Sequence, residues 1–125
     1  MMNKKRPIHL ALHKIKLPLP GLVSILHRVS GLFLFFSLPL MLWVLQASLR
    51  SAETFTNLVV MLHHPISKLI LLGLAWSFFH HFCAGIRYLA LDLHIGTTLK
   101  QARASSWIVL GISLMLTILV GVWIC

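Results

Sequence analysis

Three uncharged, strongly apolar runs dominate the chain, at residues 29–49, 69–86 and 104–125, and all the charge lies before the first run or in the stretches between them. The hydrocarbon core of a bilayer is about 30 Å thick and takes about 20 helical residues. Each run is close to that length. A backbone in lipid must satisfy its own hydrogen bonds, which a helix does. The pattern predicts an all-α membrane protein with three transmembrane helices, over about 21–49, 65–92 and 104–125, in one membrane-anchor domain covering 1–125. Residues 1–20 are basic and carry Pro7, Pro18 and Pro20, so they read as an irregular segment leading to a helix start near Pro20–Gly21. Pro65 suits a first helical turn. Gly96 is the expected stop of the second helix. Pro39 falls inside the first span and predicts a kink there, with Ser37 in reach of the freed backbone. Residues 50–64 and 93–103 read as the outer and inner loops, and no internal repeat is visible. The first run starts late, and no small-residue cleavage pattern follows it, so it reads as a span rather than a removed signal.

Composition agrees. The chain is 58% hydrophobic and 10% charged, too little charge to cover a water-soluble domain. Its net charge of +9 would suggest nucleic acid in a soluble chain. Here the basic residues follow topology instead. Of 11, all but Arg50 and Lys68 lie before the first span or around the second loop. The positive-inside rule then places the N-terminus in the cytoplasm and the C-terminus outside, with the cations also facing anionic lipid. Cys83 and Cys125 make no CxxC pair and no structural metal signature. The chain shows no Arg/Ser-rich transit segment, which points to a bacterial inner membrane.

The chemistry of interest sits inside this apolar pattern. In "FFHHFCAGIRYLALD", residues 78–92, two adjacent histidines interrupt the second span, followed by Arg87 and Asp92. At a spacing of four, Gly73, Ser77, His81 and Gly85 share one stripe, so small residues flank one imidazole. His80 points about 100° away. His81 precedes Arg87 by roughly 9 Å of helix, which puts a polar ring within the hydrocarbon. Three readings fit: a helix–helix seam with His81 hydrogen-bonded across it, a porphyrin groove with His81 as iron ligand, or a proton or ion path. In "SILHRVSG", Ser24, His27, Arg28 and Gly31 also share a face, at the same end of the membrane. Arg28 either anchors the helix at the interface or faces an anion or a carbonyl oxygen such as a quinone's.

Together "RP" at 6–7, "SILHRVSG" at 24–31 and "HFCAGIR" at 81–87 with Asp92 resemble the cytochrome b subunit family of succinate dehydrogenase, respiratory complex II. The resemblance runs over nearly the whole chain. It implies a membrane-anchor subunit that co-binds haem b and forms part of a ubiquinone-reducing site, but carries no catalytic residue of its own. It implies His81 as the haem iron's axial ligand. Ser24 and Arg28 fall on the quinone-site positions, and His27 and Arg28 on positions near the haem propionates. Asp92 falls on an acidic position of less definite role. Many members have a histidine directly after Gly-Ile-Arg, where this chain has Tyr88. The implied partners are a flavoprotein subunit, an iron–sulfur subunit and a second small membrane-anchor subunit, which supplies the other haem ligand within a hetero-oligomeric helical bundle. Two other classes remain open: a haem-free structural anchor of a related succinate dehydrogenase or fumarate reductase, and a small transporter. Against the transporter, the chain's two acids, Glu53 and Asp92, lie at span ends.

Overall fold

The computed structural model describes residues 16–125, so the "RP" pair and Lys4, Lys5, Arg6 and Lys14 lie outside the described residues. The described residues form four α-helices: α1 Leu19–Arg50, α2 Ala52–Leu62, α3 Pro65–Asp92 and α4 Leu99–Ile124. Three of them, α1, α3 and α4, are long and apolar enough to cross a membrane. Helix α1 starts with Pro20 in its first turn, where a missing N–H costs nothing, and the Pro18 carbonyl accepts from Gly21 and Leu22. It runs on helically through Pro39. The Ser37 hydroxyl donates to the Leu34 carbonyl at 2.7 Å. That is not the Phe35 carbonyl, the one that Pro39 leaves without a donor.

The expected outer loop is instead mostly helix α2. Ser51 caps it: its side chain accepts from the Thr54 N–H at 3.1 Å, and the Thr54 hydroxyl accepts from the Ser51 N–H at 3.0 Å. This is a capping box with threonine in the third position instead of Glu or Gln. Glu53 adds a negative charge to the first turn, where the helix dipole favours it. Phe55, Leu58, Val59 and Leu62 recur at helical spacing, and Leu58 is buried against the bundle. The Thr54 hydroxyl also donates to Ala47 of α1, and Ser67 of α3 donates to the Met61 carbonyl. The short helix is thereby tied to both spans that flank it.

One cap and one further boundary differ from the sequence reading. Helix α3 ends at Asp92 through a Schellman arrangement in which Ile95 N–H donates to Ala90 and His94 N–H to Leu91, both at 2.9 Å. The left-handed residue of that motif is His94 (φ 59°), not Gly96. Gly96 (φ 77°) supplies a second left-handed step before α4. Helix α4 then starts at Leu99, before the uncharged run, capped by the Thr98 hydroxyl, which accepts from Gln101 N–H.

The spans pack on a seam with heptad-like spacing. Buried positions are Val23, Ser30 and Ser37 on α1; Leu74, Ser77, His80, Ala84 and Arg87 on α3; Ser106, Val109 and Ser113 on α4. Steps of three, four and seven keep one side of a slightly underwound helix facing its neighbours. Most of these residues are small, which lets the helix backbones approach in the absence of a hydrophobic drive within lipid. Their hydroxyls are satisfied locally: Ser30, Ser37, Ser106 and Ser113 each donate to a carbonyl one turn back in their own helix. Val23, Ala84 and Val109 meet where the three spans converge. Helix α3 is the central element, packing against both α1 and α4.

Candidate functional site

The seam decides which histidine faces where. A spacing of four overshoots a full turn by about 40° per step, so Gly73 and Gly85 differ by about 120° around α3. The expected Gly73–Ser77–His81–Gly85 stripe is therefore not one seam. Gly73 faces open space, with nothing within 4 Å of a Cβ added there. Ser77 belongs to the buried line, which continues through His80, Ala84 and Arg87. His80 is 0% exposed and stacks on Trp76, ring centroids 5.1 Å apart at 17°. Neither of its ring nitrogens has a hydrogen-bond partner among the described residues.

His81 lies on the flank of the seam, half-buried against α1. Its ring is stacked on that of His27, centroids 4.2 Å apart and planes within 6°. Its Nδ1 lies 3.0 Å from the His27 carbonyl oxygen and 3.4 Å from Ser30 Oγ. Facing a carbonyl, Nδ1 carries the proton, which leaves Nε2 as a bare lone pair. That is the state in which an imidazole binds a metal, with the other ring nitrogen held by a carbonyl. A Cβ on Gly31 would stand 2.6 Å from His81 Cε1, so the ring lies directly on the α1 backbone.

Further aromatic contacts adjoin this pair. Tyr88 lies 5.1 Å from the His27 ring, and the Arg87 guanidinium 5.5 Å from the Tyr88 ring. The Tyr88 hydroxyl is buried with no partner among the described residues. Arg87 is only 8% exposed. Its Nε donates to Ser105 Oγ at 2.9 Å and an Nη to the Ala102 carbonyl at 3.5 Å, which clamps α3 to α4. The clamp has no local signal in the sequence, since the partner serine lies 18 residues away.

Of the sequence-derived site residues, the fold brings His27 and His81 into contact. Ser24 and Arg28 lie on the same helix one turn from each other, Ser24 half-buried and Arg28 exposed. Ser24 makes no hydrogen bond among the described residues, unlike the seam serines of α1. Asp92 is exposed at the end of α3 and forms no ion pair among the described residues. No group of three or more His, Cys, Asp or Glu gathers among the described residues. A cleft of about 310 Å³ between α3 and α4 is lined by Arg87 and Ser105, and one of about 380 Å³ between α1, α2 and α3 by Met41 and Met61; His81 lines neither.

These features define a three-span helical membrane protein with an imidazole held through its Nδ1 on the flank of its bundle. The profile of the succinate dehydrogenase/fumarate reductase transmembrane subunit family matches residues 2–120. A succinate dehydrogenase cytochrome b556 subunit of Coxiella burnetii is 41% identical, over 98% of this chain and 99% of the relative. Those of Rickettsia felis and Paracoccus denitrificans are 33% and 31% identical, over 94% and 91% of this chain and 92% and 88% of the relatives. The chain belongs to the succinate dehydrogenase/fumarate reductase transmembrane subunit family. It is accordingly a multi-pass protein of the inner membrane, the membrane-anchoring part of an oxidoreductase complex.

Proposed function

We propose that this chain anchors a succinate:quinone oxidoreductase in the membrane, contributes one axial ligand to a haem b and forms part of the site at which ubiquinone is reduced. The observation that carries the reading is the His81 imidazole: Nδ1 engaged by the His27 carbonyl, Nε2 without a partner among the described residues, and the ring on the bundle flank. His81 therefore fits an axial ligand. His80 fits poorly, because a macrocycle reaches a fully enclosed ring only by unpacking the seam. With one ligand from this chain, the second comes from the other small membrane subunit. The flavoprotein and iron–sulfur subunits complete the assembly at the cytoplasmic end, the end of the bundle that carries Lys16, Lys100 and Arg103.

Haem b, when bound, supplies a one-electron relay within the membrane. His27, which stacks on His81, and its neighbour Arg28 on α1 would offer donors to its propionates, and guanidinium matches carboxylate geometry. Ser24 and Arg28 hold the quinone: the Ser24 hydroxyl donates to one carbonyl oxygen, and the fixed charge of Arg28 favours electron density there. Protons enter from the cytoplasmic side, and the apolar walls exclude bulk water from the remainder of the span.

Two substitutions in the purified complex test this. His81→Leu is expected to abolish the bis-histidine haem spectrum while the complex stays assembled; an unchanged spectrum would move the ligand elsewhere. Ser24→Ala is expected to lower quinone reduction by about tenfold, the effect of one lost hydrogen bond in a dry site. Full activity would remove Ser24 from the mechanism. A pyridine haemochrome assay that finds no haem in the native complex would leave only an anchor.

A further inference from the structure

Resting on the reading of His81 as a haem ligand, we propose that Ser30 and Gly31 are positioning residues that set the plane of its imidazole and the strength of its hydrogen bond. Three contacts carry this. First, Gly31 is the floor on which the ring lies. A Cβ there would meet Cε1 at 2.6 Å and Nδ1 at 3.0 Å, the first closer than real Cβ atoms approach. The ring has little room to retreat, since sliding off α1 breaks both its stack on His27 and its bond to the His27 carbonyl.

Second, Ser30 completes the cradle. It is 1% exposed, and its hydroxyl donates to the His27 carbonyl at 2.9 Å. Its proton is thus directed at that carbonyl, and its lone pairs are left to accept from His81 Nδ1–H, with Nδ1 3.4 Å from the oxygen. The Nδ1–H is shared between two acceptors, the nearer being the carbonyl, which itself accepts from Ser30. Third, Gly85, across the interface on α3, makes no comparable demand: a Cβ added there would stand 3.8 Å from His27 Nε2, an ordinary contact.

The consequence is chemical as well as steric. Hydrogen bonding at the distal ring nitrogen raises the basicity of a metal-bound imidazole, and ring orientation governs its overlap with the iron orbitals. Ser30 and Gly31 therefore tune the bound group without touching it.

The test uses the complete complex, purified in mild detergent. Native complex without haem would sink the parent reading, and that result is distinct from those that follow. With haem present, Gly31→Ala is expected to weaken haem retention on the order of tenfold or more, or to shift the low-field EPR feature of the oxidised haem. Gly73→Ala, on the same α3 stripe as His81 in the linear pattern, is expected to change neither. Gly31→Ala with native haem content, native EPR signal and native midpoint potential overturns the proposal. If that variant loses its hydrophilic subunits, Ser30→Ala decides. It removes one oxygen and no packing, and is expected to retain haem with a shifted low-field feature and midpoint potential. An unshifted signal overturns the proposal as surely.

Discussion

Two adjacent imidazoles, His80 and His81, have the same chemistry and opposite surroundings. One is enclosed with both nitrogens unpartnered among the described residues; the other has Nδ1 engaged and Nε2 without a partner among them. A buried polar group without a partner costs about 1–3 kcal/mol, and replacing it by an apolar group of similar shape removes that cost. His80→Phe preserves the stacking on Trp76 and is expected to keep the haem spectrum. Its thermal unfolding midpoint in detergent should be no lower than native. Loss of haem in His80→Phe with haem retained in His81→Leu would reverse the assignment of the two residues. The sequence separated the pair, with His81 on the small-residue stripe and His80 about 100° away, but it did not show that His80 is the enclosed one. That difference depends on a seam stepping by three and four, which turns His80 inward and leaves His81 at the flank.

Helix α2 shows what a hydropathy reading misses among elements. Its eleven residues are too few to span a bilayer, so length alone placed them in a loop. The Ser51–Thr54 cap, Glu53 in the first turn and the Phe55–Leu58–Leu62 face were all present as local signals. An amphipathic helix of this kind suits the membrane surface, with its apolar side inward and its polar side in water. Ser51→Ala is expected to destabilise it by about 1 kcal/mol, the usual cost of a lost N-cap. Faster amide hydrogen exchange confined to 52–62 is the measurement, and unchanged protection there would show that packing against α1 and α3 suffices. Helix α4 teaches the same lesson at its start. Lys100 and Arg103 precede the uncharged run yet lie within the helix, because a span can extend past the hydrocarbon into water.

As a whole molecule the chain is an incomplete object. Phe35, Phe36, Phe78, Phe82 and Trp107 stand exposed on its outer faces, as expected of surfaces that meet lipid or other helices. His81 lines neither the α3–α4 cleft nor the one between α1, α2 and α3. Expressed without the second membrane subunit, the chain is therefore expected to insert but to show no bis-histidine haem in reduced-minus-oxidised spectra of membranes. Co-expression is expected to restore the signal. A native spectrum from the chain alone would mean that it supplies both ligands, with His27 as the first to examine because it stacks on His81.

The linear pattern by itself determined the three spans, their approximate limits and the two polar motifs that carry the family resemblance. Each follows from local requirements: the number of residues that cross hydrocarbon, the need to satisfy backbone groups within one helix, and the rarity of histidine and arginine in lipid. Only the packed bundle decided that His80 is enclosed, that Arg87 clamps Ser105 on α4, and that Gly31 and the His27 carbonyl hold His81. Those contacts join residues 15 to 54 positions apart. They depend on the rotation of each helix about its axis, which a few degrees of drift per turn accumulate and only side-chain packing between helices fixes.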